Sequence, residues 1–182
     1  MIKDLKQYND TLFLDRDGVI NVQIPNDYVK SPEEFKLIEG AGEALRILSE
    51  HFQLILIVSN QRGVGKGLMT DEDLIAINDF MMDRIYESGG RIDRIYTCTD
   101  TDEHSKNRKP NIGMALQARE DFPNIAFSRS LMVGDSISDI QFANNACIPA
   151  VLLGNKYSEE DLKPVEILCH FDNLLSLAKA LQ

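Results

Sequence analysis

The stretch Thr11-Leu-Phe-Leu14, followed directly by Asp15-Arg16-Asp17-Gly18, decides how this sequence of 182 residues is interpreted. Four residues of this apolar character are typical of a short strand that is buried on both faces. Side chains alternate along an extended chain, so Asp15 and Asp17 can point the same way while Arg16 points away from them. Gly18 permits a sharp turn after the strand. The segment therefore predicts a buried strand whose carboxyl end carries two neighbouring carboxylates.

Apolar runs alternate with segments of helical spacing through the rest of the chain. Further strands are predicted at Leu54–Val58, Ile92–Thr97, Leu131–Val133 and Ala150–Leu153. Helices are predicted at Ala41–Phe52, Thr70–Ser88, Asn111–Asp121, Ser138–Asn145 and Asn173–Leu181. This alternation predicts an α/β, Rossmann-like fold of three layers, in which a mostly parallel sheet has helices on both faces. No repeat or Gly/Ser-rich linker divides the chain, so we expect residues 1–182 to form a single domain.

The composition excludes several classes of protein. Apolar residues make up 43% and charged residues 26% of the chain, which is typical of a globular domain. With 19 Lys and Arg against 29 Asp and Glu, the net charge is −10, which disfavours nucleic acid as a partner. No apolar run approaches the ~20 residues that span a bilayer, and the first ten residues lack a signal-type apolar segment. We therefore expect a cytoplasmic protein without a membrane partner, whose three widely spaced cysteines are reduced.

Ligands of such folds bind beyond the carboxyl ends of the strands, so the first strand end is the first candidate site. Two carboxylates as close as Asp15 and Asp17 repel each other unless a cation or a shared proton lies between them. The pair suits phosphoryl transfer, in which one carboxylate attacks phosphorus while the other protonates the leaving oxygen and then activates water. The alternative is a solvated acidic turn, because two aspartates at this spacing often occur by chance.

The second strand ends in Ser59-Asn60, followed by a glycine-containing loop. A hydroxyl and an amide at a strand end can hold phosphate oxygens, and glycines let backbone N–H groups approach an anion. An ATP-binding loop of the G-x-x-x-x-G-K-[ST] type is rejected, because Asn60 and Gly67 occupy its first and last positions. The alternative is a flexible loop without a ligand.

Two later segments complete the set of polar strand ends. Asp135 directly follows a predicted strand and could bind Mg²⁺ through oxygen, while Asp139 could support the site or simply favour a helix start. Arg108-Lys109-Pro110 opens a predicted helix, where Pro110 fits the first turn. Lys109 would attract a phosphate and keep Asp15 ionised, although a solvated basic pair is the simpler interpretation when this segment is considered alone.

Taken together, the four segments resemble the haloacid dehalogenase (HAD) superfamily of phosphatases with an aspartate nucleophile. The resemblance covers about residues 11–153 and is carried by their order along the chain. The segments Phe13–Asn21, Ser59–Gly63, Arg108–Pro110 and Gly113–Met114 are similar to the branch that contains heptose bisphosphate phosphatases and histidinol-phosphatases.

This resemblance implies a role for each matching residue. Asp15 would be the nucleophile and a Mg²⁺ ligand, and Asp17 the general acid and base, with its main-chain carbonyl also on the metal. Asp135 would complete the metal site, with Asp139 in support. The residues implied to contact the phosphoryl group are Ser59 and Lys109, and those implied to contact the rest of the substrate are Asn60, Arg108 and Tyr28.

The sequence departs from this branch at three places. Members of the branch commonly hold a structural Zn²⁺ with three cysteines and one histidine, whereas the matching loop here offers Cys98 and His104, so we expect no zinc. Ser136 stands where the heptose enzymes tend to have lysine. The segment Asn21–Lys36 is too short for a large cap domain, so the substrate would reach an open site.

The resulting hypothesis is a Mg²⁺-dependent phosphatase that acts on a small phosphorylated sugar, with the 7-phosphate of heptose 1,7-bisphosphate as the favoured target. Histidinol phosphate, an amino-alcohol ester, or another small sugar phosphate is the alternative within the same class. A non-catalytic sugar-phosphate-binding protein is the alternative from another class. We expect the chain to act as a monomer.

Overall fold

The computed structural model describes residues 5–182, and a single parallel sheet organises them. The strands are β1 (Thr11–Leu14), β2 (Leu54–Asn60), β3 (Arg94–Cys98), β4 (Leu131–Gly134), β5 (Ala150–Leu153) and β6 (Cys169–Phe171). They lie in the order β3-β2-β1-β4-β5-β6, and every neighbouring pair is parallel. Because parallel neighbours require crossover connections, helices cover both faces of this sheet.

The helices form two layers that pack on opposite faces of the sheet. They are α1 (Ala41–His51), α2 (Arg62–Gly65), α3 (Asp71–Glu87), α4 (Gly113–Asp121), α5 (Ile137–Asn145), α6 (Glu159–Leu162) and α7 (Leu174–Leu181). Leu12 and Leu14 of β1 share one apolar cluster with α1, α3 and α7, whereas Phe13 shares the other with α4 and α5. The alternation of side chains along β1 thus joins both halves of the core.

The strand order places a crevice beside β1. The chain runs from β1 outward to β2 and β3, then returns to the opposite side of β1 with β4 and continues to β5 and β6. In open sheets of this kind, ligands bind where the direction of winding reverses, outside the carboxyl ends of the strands. Here these are the ends of β1 and β4, which lead into Asp15 and Asp135.

The predicted fold class is confirmed, and no end of a predicted strand or helix is displaced by more than two residues. The sequence interpretation missed β6, whose three residues lie at an edge and are only partly buried, so they show no continuous apolar run. The short helices α2 and α6, of four residues each, are not among the predicted helices, and α2 includes two glycines. Between Asn21 and Lys36 the only helix is a single 3-10 turn, Pro32–Glu34, so this segment forms no large cap.

No helix within residues 5–182 is both long and apolar enough to cross a membrane.

Replacing Phe142 on α5 with alanine should lower the free energy of unfolding by about 3–5 kcal/mol, because the ring is fully buried and leaves a cavity. Urea unfolding monitored by circular dichroism measures the change. Leu116→Ala on α4 is the control, since this side chain is 38% exposed and should cost far less. Equal losses in both variants would contradict the assignment of Phe142 to the core.

Candidate active site

A polar cavity of about 230 Å³ lies at the carboxyl ends of β1 and β4. Seven of the residues singled out from the sequence line it: Asp15, Asp17, Tyr28, Asn60, Lys109, Asp135 and Asp139. The remaining lining residues are Gln23, Ile24, Asp27, Ser136 and Ser138. Segments that are more than 90 residues apart in sequence therefore meet in one place, as the order of the strands requires.

Lys109 forms the centre of the charged groups in this cavity. Its ammonium nitrogen lies 2.8 Å from Asp15 Oδ1 and 2.6 Å from Asp139 Oδ1, and it donates a hydrogen bond to the Val58 carbonyl at 2.7 Å. The side chains of Lys109 and Asp139 are almost fully buried. A buried ammonium group requires partners of this kind, so the lysine side chain is held in one position.

Asn60, at the end of β2, holds the backbone of Lys109. Its amide donates to the Lys109 carbonyl at 3.1 Å, and its side-chain oxygen accepts from the Lys109 N–H at 3.0 Å. Asn60 lines the cavity, but these two hydrogen bonds engage both ends of its amide. Asn60 therefore positions the backbone of Lys109, while its predicted contact with the substrate remains a prediction.

The start of α5 places Asp139 beneath the cavity. Ser136 is the N-cap residue of this helix, and Asp139 accepts the Ser136 N–H in return, which forms a capping box. A Cβ at position 134 would lie 2.2 Å from the Asp139 side chain, so Gly134 permits this close approach. The capping box therefore gives both Ser136 and Asp139 a structural role at the start of α5.

Carboxylate oxygens of Asp15, Asp135 and Asp139 all lie within 4.8 Å of one another, and they form a possible metal site. Oxygen donors of this kind fit Mg²⁺, which is bound in proteins by a few carboxylates together with water. Gly18 permits the arrangement, since it has φ +89° and a Cβ there would lie 2.4 Å from Asp135 Oδ2. The Asp17 carboxylate is not part of this group. The only metal contact predicted for Asp17 is through its main-chain carbonyl.

Burial, together with the neighbouring charges, shifts the pKa values of the groups in the cavity. Burial raises the pKa of Asp15 to about 7, although Lys109 opposes the shift. Burial alone would lower the pKa of Lys109, but the carboxylates of Asp139 and Asp15 outweigh it and hold that pKa above its usual value. Burial also raises the pKa of Asp135, against the effect of Lys156, whose ammonium lies 2.6 Å away. An added cation would therefore favour the ionised carboxylates.

Three neighbouring side chains donate hydrogen bonds to the Asp17 carboxylate. Asn21 donates to its Oδ1 at 2.9 Å, while Arg16 and Gln61 donate to its Oδ2 at 3.1 Å and 2.7 Å. The sequence prediction that Arg16 points away from both aspartates was wrong for its guanidinium group, which returns to Asp17. The arginine is only 1% exposed, and a buried guanidinium needs a carboxylate partner.

Two predicted site residues lie outside the wall of the cavity. Ser59 is buried, and its Oγ accepts a hydrogen bond from Gln61 Nε2 at 2.8 Å. Arg108 is partly buried, and its Nη1 atom has no hydrogen-bond partner within the protein. Their assignment to the phosphoryl group and the substrate thus remains a prediction.

Tyr28 lines the cavity and packs against the loop that follows β2. A Cβ at Gly63 would lie 3.0 Å from the Tyr28 ring, and Lys66 donates to the Tyr28 hydroxyl at 3.3 Å. The ammonium of Lys66 is 5.4 Å from the centre of the ring, within the range of a cation–π contact. Tyr28 therefore connects the two short loops that border the opening of the cavity.

The loop between β3 and Lys109 is held by hydrogen bonds. Cys98 Sγ lies 3.8 Å from Asp100 Oδ2 and 3.9 Å from Ser105 Oγ, and Ser105 donates to Asp100. Asn111 donates to the Ser105 carbonyl at 2.9 Å. These contacts connect the loop to the segment that carries Lys109. The expectation that no zinc is bound here remains a prediction.

Comparison with known proteins places this site in a family. A family model described as HAD-hydrolase-like matches residues 106–174. The D-glycero-alpha-D-manno-heptose-1,7-bisphosphate 7-phosphatase of Campylobacter jejuni is 35% identical over 149 residues, which cover 82% of this chain and 84% of that protein. The chain belongs to the heptose bisphosphate phosphatase branch of the HAD superfamily. It is a phosphatase of the HAD type, and the resemblance noted from the sequence is confirmed.

Further members of this branch resemble the chain in sequence and in structure. The D-glycero-beta-D-manno-heptose-1,7-bisphosphate 7-phosphatase of Vibrio cholerae is 37% identical over 150 residues, covering 78% of this chain and 79% of that protein. The crystal structure of D,D-heptose 1,7-bisphosphate phosphatase from B. bronchiseptica, complexed with magnesium and phosphate, superimposes with a TM-score of 0.84 at 28% identity. That match covers 94% of this chain and 97% of the other. The HAD fold thus extends over nearly the whole chain.

The raised pKa of Asp15 predicts how the stability of the metal-free protein depends on pH. The folded state retains the Asp15 proton up to about pH 7, whereas the unfolded chain releases it near the ordinary value of 3.8. Titration of Asp15 therefore lowers the free energy of unfolding as the pH rises from 3.8 to about 7. In the presence of a chelator, the wild-type protein should lose stability relative to Asp15→Asn as the pH rises from 3.8 towards about 7, as measured by urea unfolding. Parallel curves for the two proteins would contradict the raised pKa.

Proposed function

We propose that this HAD phosphatase removes the 7-phosphate of D-glycero-D-manno-heptose 1,7-bisphosphate in a Mg²⁺-dependent reaction through an aspartyl-phosphate. The observation that carries the proposal is the convergence of Asp15, Lys109 and Asp135 on one cavity at the carboxyl ends of β1 and β4. A nucleophile, a buried cation and a further carboxylate are the groups that transfer of a phosphoryl dianion requires.

In the first step, the Asp15 carboxylate attacks phosphorus and the bond between phosphorus and the sugar oxygen breaks. Lys109, in contact with Asp15 Oδ1, stabilises the ionised nucleophile and attracts the phosphoryl oxygens. Asp17 gives its proton to the departing sugar oxygen, so the sugar leaves as an alcohol. The product on the protein is a mixed anhydride between Asp15 and phosphate.

In the second step, water attacks the same phosphorus and the bond to the Asp15 oxygen breaks. Asp17 is now ionised and accepts a proton from this water, which restores both aspartates and releases inorganic phosphate. The open cavity admits water from the side of Tyr28 and Asp27, which line it. Ser59 is proposed to donate its hydroxyl hydrogen to a phosphoryl oxygen in both steps.

The residues proposed to hold Mg²⁺ are Asp15 and Asp135 through their carboxylates, and Asp17 through its main-chain carbonyl. The bound ion would offset the charge of the acids and of the phosphoryl group. Asp139 is proposed to support the site, because its carboxylate is committed to Lys109 and to the start of α5. The superimposable B. bronchiseptica protein, which is described with magnesium and phosphate, supports this assignment.

The size of the cavity favours a phosphate at the end of a substrate chain. A volume of about 230 Å³ is below that of sites which enclose a whole small molecule. A phosphate on the primary carbon C7 can enter with little of the sugar behind it, whereas the ring and the 1-phosphate would remain near the opening. This geometry agrees with the 7-phosphatase names of the related proteins.

Cations near the opening favour a second phosphate on the substrate. Lys66 lies beside Tyr28, and Lys156 lies beside Asp135 and is partly exposed. In a chain with a net charge of −10, this local group of cations would make the opening attractive to a bisphosphate.

Kinetic measurements with a set of phosphate esters test the proposed substrate. We expect kcat/KM to be highest for heptose 1,7-bisphosphate, lower for the 7-monophosphate and for histidinol phosphate, and the product to retain its 1-phosphate. The α and β anomers are assayed separately, since the related proteins are named for one or the other. Asp15→Asn should reduce turnover roughly 10³-fold or more, because it removes the nucleophile.

Asp79→Asn, an exposed substitution on α3, is the matched control for Asp15→Asn and should retain full activity. Release of the 1-phosphate, or faster hydrolysis of histidinol phosphate, would contradict the proposed substrate. Substantial turnover by Asp15→Asn would contradict the proposed mechanism.

Binding of Mg²⁺ should raise the melting temperature of the wild-type protein, because an ion that binds only the folded state stabilises it. Asp135→Asn should lose most of this increase, while Asp79→Asn should retain it. Differential scanning calorimetry with Mg²⁺ or with a chelator measures the effect without reference to activity. The same increase in Asp135→Asn as in the wild type would exclude Asp135 as a ligand.

A further inference from the structure

Gln61 is a fully buried polar side chain directly behind the proposed catalytic groups. It lies between the end of β2 and the start of α2, and none of its surface is exposed. It does not line the cavity, and no role was predicted for it, although it lies in the Ser59–Gly63 segment that carries the family resemblance. A buried amide is costly unless its hydrogen bonds are satisfied, so the partners of Gln61 show what holds it in place.

The hydrogen bonds of Gln61 determine the orientation of its amide. Arg16 can only donate, and its Nη2 lies 2.9 Å from Gln61 Oε1, which must therefore be the acceptor. The amide nitrogen is then directed to Asp17 Oδ2 at 2.7 Å and to Ser59 Oγ at 2.8 Å. One side chain thus connects the proposed general acid and base with the proposed phosphate-binding hydroxyl.

This orientation has a consequence for Ser59. A hydroxyl group has one hydrogen to donate and two lone pairs that accept. Because the Gln61 amide donates to Ser59, the serine acts as acceptor in that contact. Its single hydrogen is not used there, and it can be directed to a phosphoryl oxygen.

The same amide restricts the rotation of the Asp17 carboxylate. Oδ2 accepts from Gln61 and Arg16, while Oδ1 accepts from Asn21 at 2.9 Å. Arg16 is itself anchored to Asn78 of α3, at 3.1 Å. A proton donor must be within hydrogen-bond reach of the leaving oxygen, so fixing this carboxylate sets where its proton can be delivered.

We propose that Gln61 is a positioning residue that aligns Asp17 for protonation of the leaving group and directs the Ser59 hydroxyl to the phosphoryl group. The inference rests on the role of Asp17 in the proposed function, but not on the identity of the sugar. Gln61 touches neither substrate nor metal in this mechanism and acts through the two residues to which it donates.

The basicity of the leaving group separates this role from a merely structural one. An alkoxide is strongly basic and needs a proton to depart, whereas p-nitrophenolate departs without one. The ratio kcat/KM covers the steps up to formation of the aspartyl-phosphate, in which Asp17 acts as acid. Misplacement of Asp17 should therefore lower kcat/KM for an alkyl phosphate far more than for p-nitrophenyl phosphate, whereas general damage to the site should lower both equally.

The experiment compares Gln61→Met, which is similar in size but cannot donate, with the wild type on these two kinds of ester. The alkyl ester is the sugar phosphate that the wild-type protein hydrolyses fastest, whichever it proves to be. We expect a loss of about 10- to 100-fold in kcat/KM for the alkyl phosphate. The loss for p-nitrophenyl phosphate should be less than about 3-fold, because it reports only the misdirected Ser59 hydroxyl, which both esters share. Gln117→Met, on the exposed surface of α4, should leave both values unchanged.

Gln61→Asn and Asn78→Ala keep the test valid if Gln61→Met does not fold. The asparagine is one methylene too short to reach both Asp17 and Ser59, and Asn78→Ala releases the anchor of Arg16. Both should show the same preferential loss for the alkyl phosphate, smaller in Asn78→Ala. Equal losses for the two esters, or no loss, would overturn the positioning role.

Asp17→Asn distinguishes failure of this inference from failure of the proposed function. If Asp17→Asn shows the preferential loss and the Gln61 variants do not, the positioning role alone is wrong. If Asp17→Asn lacks it as well, Asp17 is not the acid and both proposals fall. A sugar other than the heptose as best substrate would overturn only the proposed substrate.

Discussion

The ion cluster of Lys109 with Asp15 and Asp139 is the interaction on which the site depends. Three acids with oxygens within 4.8 Å of one another would repel each other strongly at the edge of a buried sheet. The ammonium of Lys109 offsets part of this charge, and Asn60 fixes the backbone that delivers it. Lys156 pairs with the third acid, Asp135, so two lysines face three acids and the ionised site retains an excess of one negative charge. A divalent cation is the complement that such an excess favours.

The topology of the sheet explains why groups so distant in sequence meet there. β1 lies at the centre of the sheet, with β2 and β4 as neighbours, so the ends of these three strands supply Asp15, Asn60 and Asp135 to one edge. Buried strands fix the positions of these ends far more rigidly than loops could. The short segments between Asn21 and Lys36 and after Asn60 only border the opening. The fold therefore separates a rigid set of reacting groups from loops that can vary with the substrate.

The sequence was sufficient to predict the fold class and seven of the twelve residues that line the cavity, because apolar runs mark the central strands and several of these polar residues follow them directly. It was insufficient wherever a side chain acts through another side chain. The guanidinium of Arg16 returns to Asp17, although strand alternation directs its Cβ away from the cavity. Gln61 lies in the Ser59–Gly63 segment that carries the resemblance, but its role could not be predicted, because that role follows only from its three partners in space. β6 was missed because its short, partly buried edge strand has no continuous apolar run.

Asp15 and Asp17, the two aspartates that follow β1, are held by separate sets of contacts. This separation fits their different tasks. Asp15 faces Lys109 and lies close to Asp135 and Asp139, in a cluster of formal charges whose balance changes when a cation or phosphate binds. Asp17 is instead held by Asn21, Gln61 and Arg16, whose hydrogen bonds fix its position. A nucleophile has to respond to the charge of the group it attacks, whereas a proton donor has to be in the correct place. Asp15 and Asp17 follow the same short strand, but their carboxylates have different partners. The end of one strand can therefore present both a nucleophile and a proton donor.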